Sequence, residues 1–218
     1  MLVLSAKICQ AVKGDNFLSL MICGRRGVGK TAYSLWSLHE SLVELGYSDS
    51  KAWDLALGSL KFSISDVVGY LSEAVESDTK QIGLIWDDVR SFASGSMYHS
   101  HVKLVSKLTA LLDVVRTGVH CLILTTPSSK GLLGVLTSYD DFLVKVHHSD
   151  QGGMFRQAVA YRWSTLPSGQ RRIYKKFKDN YSCYLPKKIY DRYTATRKTA
   201  MLNILSEISI LEKEANKE

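Results

Sequence analysis

An α/β fold, with a mostly parallel sheet covered on both faces by helices, is what this sequence predicts. Two observations carry it. Short apolar runs that read as buried strands alternate with stretches of helical periodicity. The first of these runs ends at Gly24-Arg25-Arg26-Gly27-Val28-Gly29-Lys30-Thr31, whose spacing, G-x-x-x-x-G-K-T, is that of a phosphate-binding loop.

Each element follows in order. Phe17 to Cys23 is the strand that delivers the loop, and Thr31 to Leu45 is the helix that leaves it. Leu35, Leu38, Leu42 and Leu45 fall on one face of that helix, and Gly46 stands where a helix C-terminus places glycine. Strand, glycine loop and helix are the context the motif requires. A second helix is predicted over 51–60 and a short strand over 61–64. A third helix follows over 67–77, capped by Ser65 or Asp66. Gln81 to Asp87 reads as a strand and 91–100 as a loop. Val102 to Arg116 is helical, Val119 to Thr125 is a buried strand stopped by Pro127, and Asp141 to His147 is the last apolar strand. Beyond His148 the pattern becomes alternating. Gln157 to Trp163 and Arg171 to Phe177, joined through Leu166-Pro167-Ser168-Gly169, predict a β-hairpin. Pro186 suits the first turn of a long terminal helix reaching about Ala215. The expected organisation is an ATPase core over 1–150 and a basic extension of hairpin and helix over 151–218.

The chain has 218 residues and a net charge of +7, all of it in the last quarter: residues 1–160 hold 15 Lys/Arg and 15 Asp/Glu, residues 161–218 hold 13 and 6. A neutral core with a basic end calls for an anionic partner, most simply DNA. Arg171, Arg172, Lys175 and Lys176 are the candidate contacts. They interleave with Tyr161, Trp163, Tyr174, Phe177, Tyr181 and Tyr184. Aromatics alternating with cations can stack on bases while holding phosphates. The same alternation also describes a hairpin with one face on the core and one charged face in water.

No apolar run reaches the roughly 20 residues of a membrane helix, so no membrane partner is expected. Met1 to Val12 is mildly apolar but interrupted by Lys7, and is not read as a secretion signal. Cys9, Cys23, Cys121 and Cys183 form no C-x-x-C and read as small buried hydrophobes in a reducing cytoplasm. The pairs His99/His101 and His147/His148 lack further ligands at zinc spacing. Trp36, Trp53, Trp86 and Trp163 read as packing residues.

The chemistry expected is nucleoside triphosphate hydrolysis, with ATP and Mg²⁺. Gly24, Arg25, Arg26, Gly27, Val28 and Gly29 form the loop, Lys30 reaches the β- and γ-phosphates, and the Thr31 hydroxyl goes to the metal. Asp87 and Asp88 end a strand, where the first acid holds Mg²⁺ and the second orients or activates the attacking water. An aspartate there is one methylene shorter than the glutamate many such ATPases use, which favours slow turnover. Thr125 or Thr126, at the end of the following strand, would face the γ-phosphate as a sensor. A positive charge on the transition state would come from Arg116, with Arg90 and then Lys130 behind it.

These motifs, with Lys51-Ala52-Trp53-Asp54-Leu55-Ala56-Leu57, Leu124-Thr125-Thr126-Pro127-Ser128 and Tyr184-Leu185-Pro186, resemble the DnaA-like phosphate-loop ATPases encoded by spindle-shaped viruses and plasmids of hyperthermophilic archaea. The resemblance spans roughly residues 17–195. It implies a core similar to AAA+ and RecA proteins, a role in viral or plasmid replication initiation or helicase loading, partner proteins of that process, a homo-oligomer and a host-cytoplasmic setting. It departs from initiator ATPases in two places: residues 127–148 contain no arginine, and a hairpin replaces the helical lid. The alternatives are a DNA-translocating or genome-packaging motor and a weakly hydrolysing ATP-dependent adaptor.

Overall fold

The computed structural model describes residues 1–89, 102–128, 141–150, 152–165 and 168–215. In chain order the elements are α1 (Val3–Lys13), β1 (Leu18–Cys23), α2 (Lys30–Glu44), α3 (Asp49–Gly58), β2 (Leu60–Lys61), α4 (Ile64–Glu76), β3 (Leu84–Trp86), α5 (Val102–Val114), β4 (Cys121–Thr126), β5 (Phe142–His148), β6 (Phe155–Thr165), β7 (Arg171–Ser182) and α6 (Lys187–Ala215). Seven strands form one sheet in the order β2-β3-β4-β1-β5-β6-β7. Pairing is parallel from β2 through β5 and antiparallel from β5 to β7. The expected α/β architecture is therefore the observed one, hairpin and final helix included.

Burial explains why the strands read as they do. Every residue of β1 and β4 is buried, because helices cover the centre of the sheet on both sides. Val67 and Leu71 of α4 and Val105, Leu108 and Leu112 of α5 pack on Met21, Leu84, Trp86, Leu122 and Leu124. In β5 the pattern becomes one-sided: Phe142, Val144 and Val146 are buried while Lys145 and His147 are exposed. The change of texture after residue 148 is this loss of cover on one face, and the sheet runs on through it. By contact, the chain divides into two compact units, 1–184 and 185–218, so the hairpin lies in the first. The second is α6, a single helix with Tyr190, Met201, Leu202, Leu205 and Ile208 exposed. Among the described residues no helix is long and apolar enough to cross a membrane.

The structure differs from the sequence reading at several points. The cap of α4 is Ser63, not Ser65 or Asp66. Its hydroxyl accepts from the Asp66 N–H at 3.1 Å, and the Asp66 carboxylate accepts the Ser63 N–H at 3.2 Å. Starting α4 at Ile64 shortens β2 to two residues. No helix was expected over 1–12, where α1 forms. Its first N–H groups find partners far along the chain: Val3 and Leu4 donate to the two Asp179 carboxylate oxygens at 2.7 and 3.2 Å, and Leu2 donates to Glu40 at 2.6 Å. Asp179 is only 4% exposed and also accepts from the Tyr33 hydroxyl at 2.6 Å. One carboxylate of β7 thus caps α1 and fixes a tyrosine of α2.

The hairpin aromatics also divide. Phe177 and Tyr181 are buried, Phe177 against Phe142 at 5.4 Å between centroids, so neither can stack on a base. Trp163 is 47% exposed rather than packed. An irregularity in register, Ala160 opposite Phe177 but Tyr161 opposite Lys175, leaves Lys176 as the additional residue of β7.

Replacing Asp179 with Ala leaves two helix N–H groups and a buried phenol without their acceptor. Asp179→Ala should lower unfolding stability by roughly 2–3 kcal/mol. Urea denaturation measures it, and a loss below about 0.5 kcal/mol would show that water replaces the carboxylate without cost.

Candidate functional site

The loop after β1 has the form its spacing predicts. Gly29 has φ +98°, in the left-handed region, and a Cβ there would lie 2.8 Å from the Cys183 Cβ. A Cβ on Gly24 would lie 2.8 Å from the Val146 carbonyl oxygen, so the loop's first residue is held to glycine by the neighbouring strand. Val28 turns inward and is buried, while Arg25, Arg26 and Gly27 face solvent. The Lys30 ammonium donates to the carbonyls of Gly24 at 2.9 Å and Arg25 at 3.2 Å, lying along the loop from which α2 departs.

Three parallel strands bring the acid and its partners to this loop. Asp87, one residue past β3 and 5% exposed, accepts on a single oxygen, Oδ1, from the Thr31 hydroxyl at 2.9 Å and the Thr125 hydroxyl at 2.5 Å. Thr125 in turn accepts from the Asp88 N–H at 3.0 Å. Asp88 is half-buried with φ +52°, an uncommon backbone conformation for a residue other than glycine. Thr126 points away from this chain of hydrogen bonds and closes its own turn, donating to the Ser128 carbonyl at 2.9 Å. Of the two threonines, Thr125 is the one joined to Asp87.

Arg116 lies elsewhere. It is exposed in a short 3-10 turn, Val115–Thr117, that precedes β4, whereas the loop lies at the far end of that strand. The strand's own length, about 17 Å, separates the two ends. Arg116 cannot reach the loop of its own subunit. Arg90, Lys130, His99 and His101 fall outside the described residues.

A cavity of about 590 Å³ opens beside the loop, lined by Cys23, Gly24, Arg25, Val28, Pro127, Ser128 and, from β5, Lys145, Val146, His147 and His148. The histidine pair that lacks metal-ligand spacing in the sequence thus borders this cavity.

Two residues at the loop were not singled out for it by the sequence reading. Arg156, 6% exposed on β6, donates from Nε to the Val28 carbonyl at 3.0 Å. Tyr181, on β7, donates to the Gly29 carbonyl at 2.9 Å. Parity could have found them. Arg156 shares its face with Ala158 and Ala160, and Tyr181 shares its face with Phe177 and Asp179; these are the inward faces of their strands.

Of the basic candidates on the hairpin, Arg171 pairs with Thr165, Arg172 with Ser164 and Lys175 with Tyr161. Arg172, Lys175 and Lys176 are exposed, and the Lys176 ammonium lies 5.8 Å from the Tyr174 ring centre. Lys175 shares a face with Tyr161, Trp163 and Ile173, and across the sheet the Lys145 ammonium lies 5.7 Å from the Tyr161 ring.

No protein-family profile matches the chain. It is 26% identical over 220 residues to the uncharacterized protein B-251 of Sulfolobus spindle-shape virus 1, covering 98% of this chain and 87% of that protein. It is 24% identical over 177 residues to the uncharacterized protein ORF286 of Acidianus two-tailed virus, covering 80% of this chain but 58% of that protein's length. Among solved structures it is similar to a KaiC-like protein of Pyrococcus horikoshii (TM-score 0.42, 16% identity, 72% of this chain and 89% of that one). It is similar also to the N-terminal domain of zonular occludens toxin from Neisseria meningitidis (0.44, 16%, 81% and 98%). A third is the genome packaging NTPase B204 of Sulfolobus turreted icosahedral virus 2 in complex with ATP-gammaS (0.42, 15%, 75% and 98%). On its own geometry, a mostly parallel sheet with a glycine loop between β1 and α2 and an acid past β3 bonded to Thr31, the chain has the α/β fold of a phosphate-loop protein, and its sequence relatives are proteins of archaeal viruses.

Proposed function

We propose that this protein binds ATP with Mg²⁺ at residues 24–31, hydrolyses it, and acts on DNA in the replication of a viral or plasmid genome. The observation that carries the catalytic part is the single Asp87 oxygen shared by Thr31 and Thr125 beside a glycine-built loop. A hydroxyl and a carboxylate in contact are hard oxygen ligands of the kind Mg²⁺ takes, so the residues present fit the ion. Mg²⁺, when bound, neutralises charge on the phosphates. In a loop of this kind backbone N–H groups between Gly24 and Lys30 would donate to the anion, and Lys30 would exchange its loop carbonyls for phosphate oxygens. Asp88 orients or activates the attacking water. Thr125, bonded to both acids, is the residue suited to report the γ-phosphate to the neighbouring strand. The cavity bordered by Lys145, His147 and His148 has room for the nucleoside part.

The DNA part rests on charge. The excess of +7 lies after residue 160, and Arg172, Lys175 and Lys176 are exposed beside Trp163, Ile173 and Tyr174. Replication initiation or helicase loading is the finer reading, supported by the resemblance to DnaA-like ATPases. A homo-oligomer fits the position of Arg116, which can serve only a neighbour's site.

Three outcomes test this. Lys30→Ala should abolish ATP turnover and weaken ATP binding, whereas Asp88→Asn should keep binding and slow turnover by about a hundredfold or more. Turnover in Asp88→Asn equal to the unmodified protein removes Asp88 from the mechanism. Arg116→Ala should bind ATP but turn it over poorly, and mixing it with Lys30→Ala should restore activity in mixed oligomers; no rescue there rules out an arginine supplied from this position. Replacing Arg171, Arg172, Lys175 and Lys176 together with Gln should weaken DNA binding. Each lost phosphate contact should reduce the log–log salt slope by roughly 0.7–0.9. DNA affinity measured across several salt concentrations decides it, and an unchanged slope makes the hairpin charge solvated surface.

A further inference from the structure

We infer that Arg156 and Tyr181 are positioning residues that hold the phosphate-facing amides of the loop in their binding orientation, and that the terminal hairpin is therefore part of the nucleotide site. This rests on the proposed nucleotide reading of residues 24–31. The argument begins with the peptide unit. Among the described residues no peptide bond is cis, and in a planar trans unit the carbonyl of one residue and the N–H of the next point in opposite directions. A donor that fixes the Val28 carbonyl therefore aims the Gly29 N–H the other way, and one that fixes the Gly29 carbonyl does the same for the Lys30 N–H. Arg156 and Tyr181 are those donors, at 3.0 and 2.9 Å.

The loop needs them because its backbone has two classes of partner. The carbonyls of Gly24 and Arg25 are held by Lys30, whose ammonium is the group that leaves for phosphate. The carbonyls of Val28 and Gly29 each accept from a strand side chain, Arg156 Nε and the Tyr181 hydroxyl. Gly29 also accepts from the Tyr33 N–H at 3.0 Å, which belongs to α2 itself. Arg156 is fixed in turn, donating from its terminal nitrogen to the carbonyls of Gly153 at 2.7 Å and Phe155 at 2.8 Å. The Tyr181 ring lies 4.9 Å from that of Tyr33, which is anchored on Asp179. Burial pushes the Tyr181 phenol well above its ordinary pKa, so its hydroxyl stays a donor at any working pH. A guanidinium on the Val28 carbonyl also adds fixed positive charge beside the loop and polarises the peptide towards donation.

The test uses the full chain and Tyr181→Phe, which keeps the ring and removes one oxygen. Mg-ADP and Mg-ATPγS affinities are measured by calorimetry at a temperature where both proteins are folded, and the melting temperature is recorded without nucleotide. Losing one neutral donor should weaken both affinities roughly three- to tenfold. Arg156→Lys keeps the charge but not the Nε donor and should weaken them roughly tenfold or more. Tyr184→Phe, at an exposed ring, should change neither. A purely structural role predicts a lower melting temperature with unchanged affinities in both variants, and that result overturns the inference. If the unmodified protein binds neither nucleotide, the nucleotide reading itself fails, an outcome distinct from normal binding by the two variants.

Discussion

The site depends on one carboxylate oxygen being within reach of two hydroxyls from different strands' ends. Asp87 follows β3, Thr125 is the last residue but one of β4, and Thr31 lies in the first turn of the helix that follows β1. Only a parallel arrangement delivers three C-terminal ends to one edge, and only the order β3-β4-β1 puts the threonine of β4 between the other two. The register is set to match, with Cys23 opposite Thr126 and Trp86 opposite Leu124. A slip of one residue would turn Thr125 to the other face of the sheet and break the chain of hydrogen bonds.

A second dependence runs from the antiparallel half. The inward face of β7 presents Phe177, Asp179 and Tyr181 in succession, and each makes contact with the first 50 residues. Phe177 packs on Phe142 below the Lys7 ammonium of α1, Asp179 caps α1 and holds Tyr33, and Tyr181 holds Gly29. Lys175 and Lys178 are exposed on the outward face, while Arg172, opposite Ser164, keeps the inward parity but lies beyond the buried part of the strand. The strand thus belongs to the core by one set of residues and to the surface by the alternate set. The displaced Lys176 marks where the buried half ends.

What the sequence made legible was local. A glycine loop between an apolar run and an amphipathic helix is contiguous, and so are the strands and helices whose periodicity lies within a dozen residues. Asp87 and Thr125 were readable because strand ends follow from strand assignments. The helix α1 was not readable, because the groups that cap it, Glu40 and Asp179, are 38 and 176 residues away. Arg156 and Tyr181 were hidden for a related reason: a hairpin rich in cations and aromatics invites a reading in terms of its surface. Their inward parity acquires meaning only once the neighbouring strand and the loop are in place. The same holds for Arg116, whose distance from the loop is a property of sheet direction.

The contact between Tyr181 and Gly29 also bears on how the molecule is made. A chain synthesised from its N-terminus contains residues 24–31 well before residues 156 and 181 exist. Its glycine loop can fold locally as a turn, but the donors that fix the Val28 and Gly29 carbonyls stand 128 and 152 residues further along the chain. Contacts of such sequence separation form late, because the chain between them must be ordered first. The glycine loop is thus synthesised well before it is completed, and a chain that stops short of residue 181 carries the motif without the contacts that brace it.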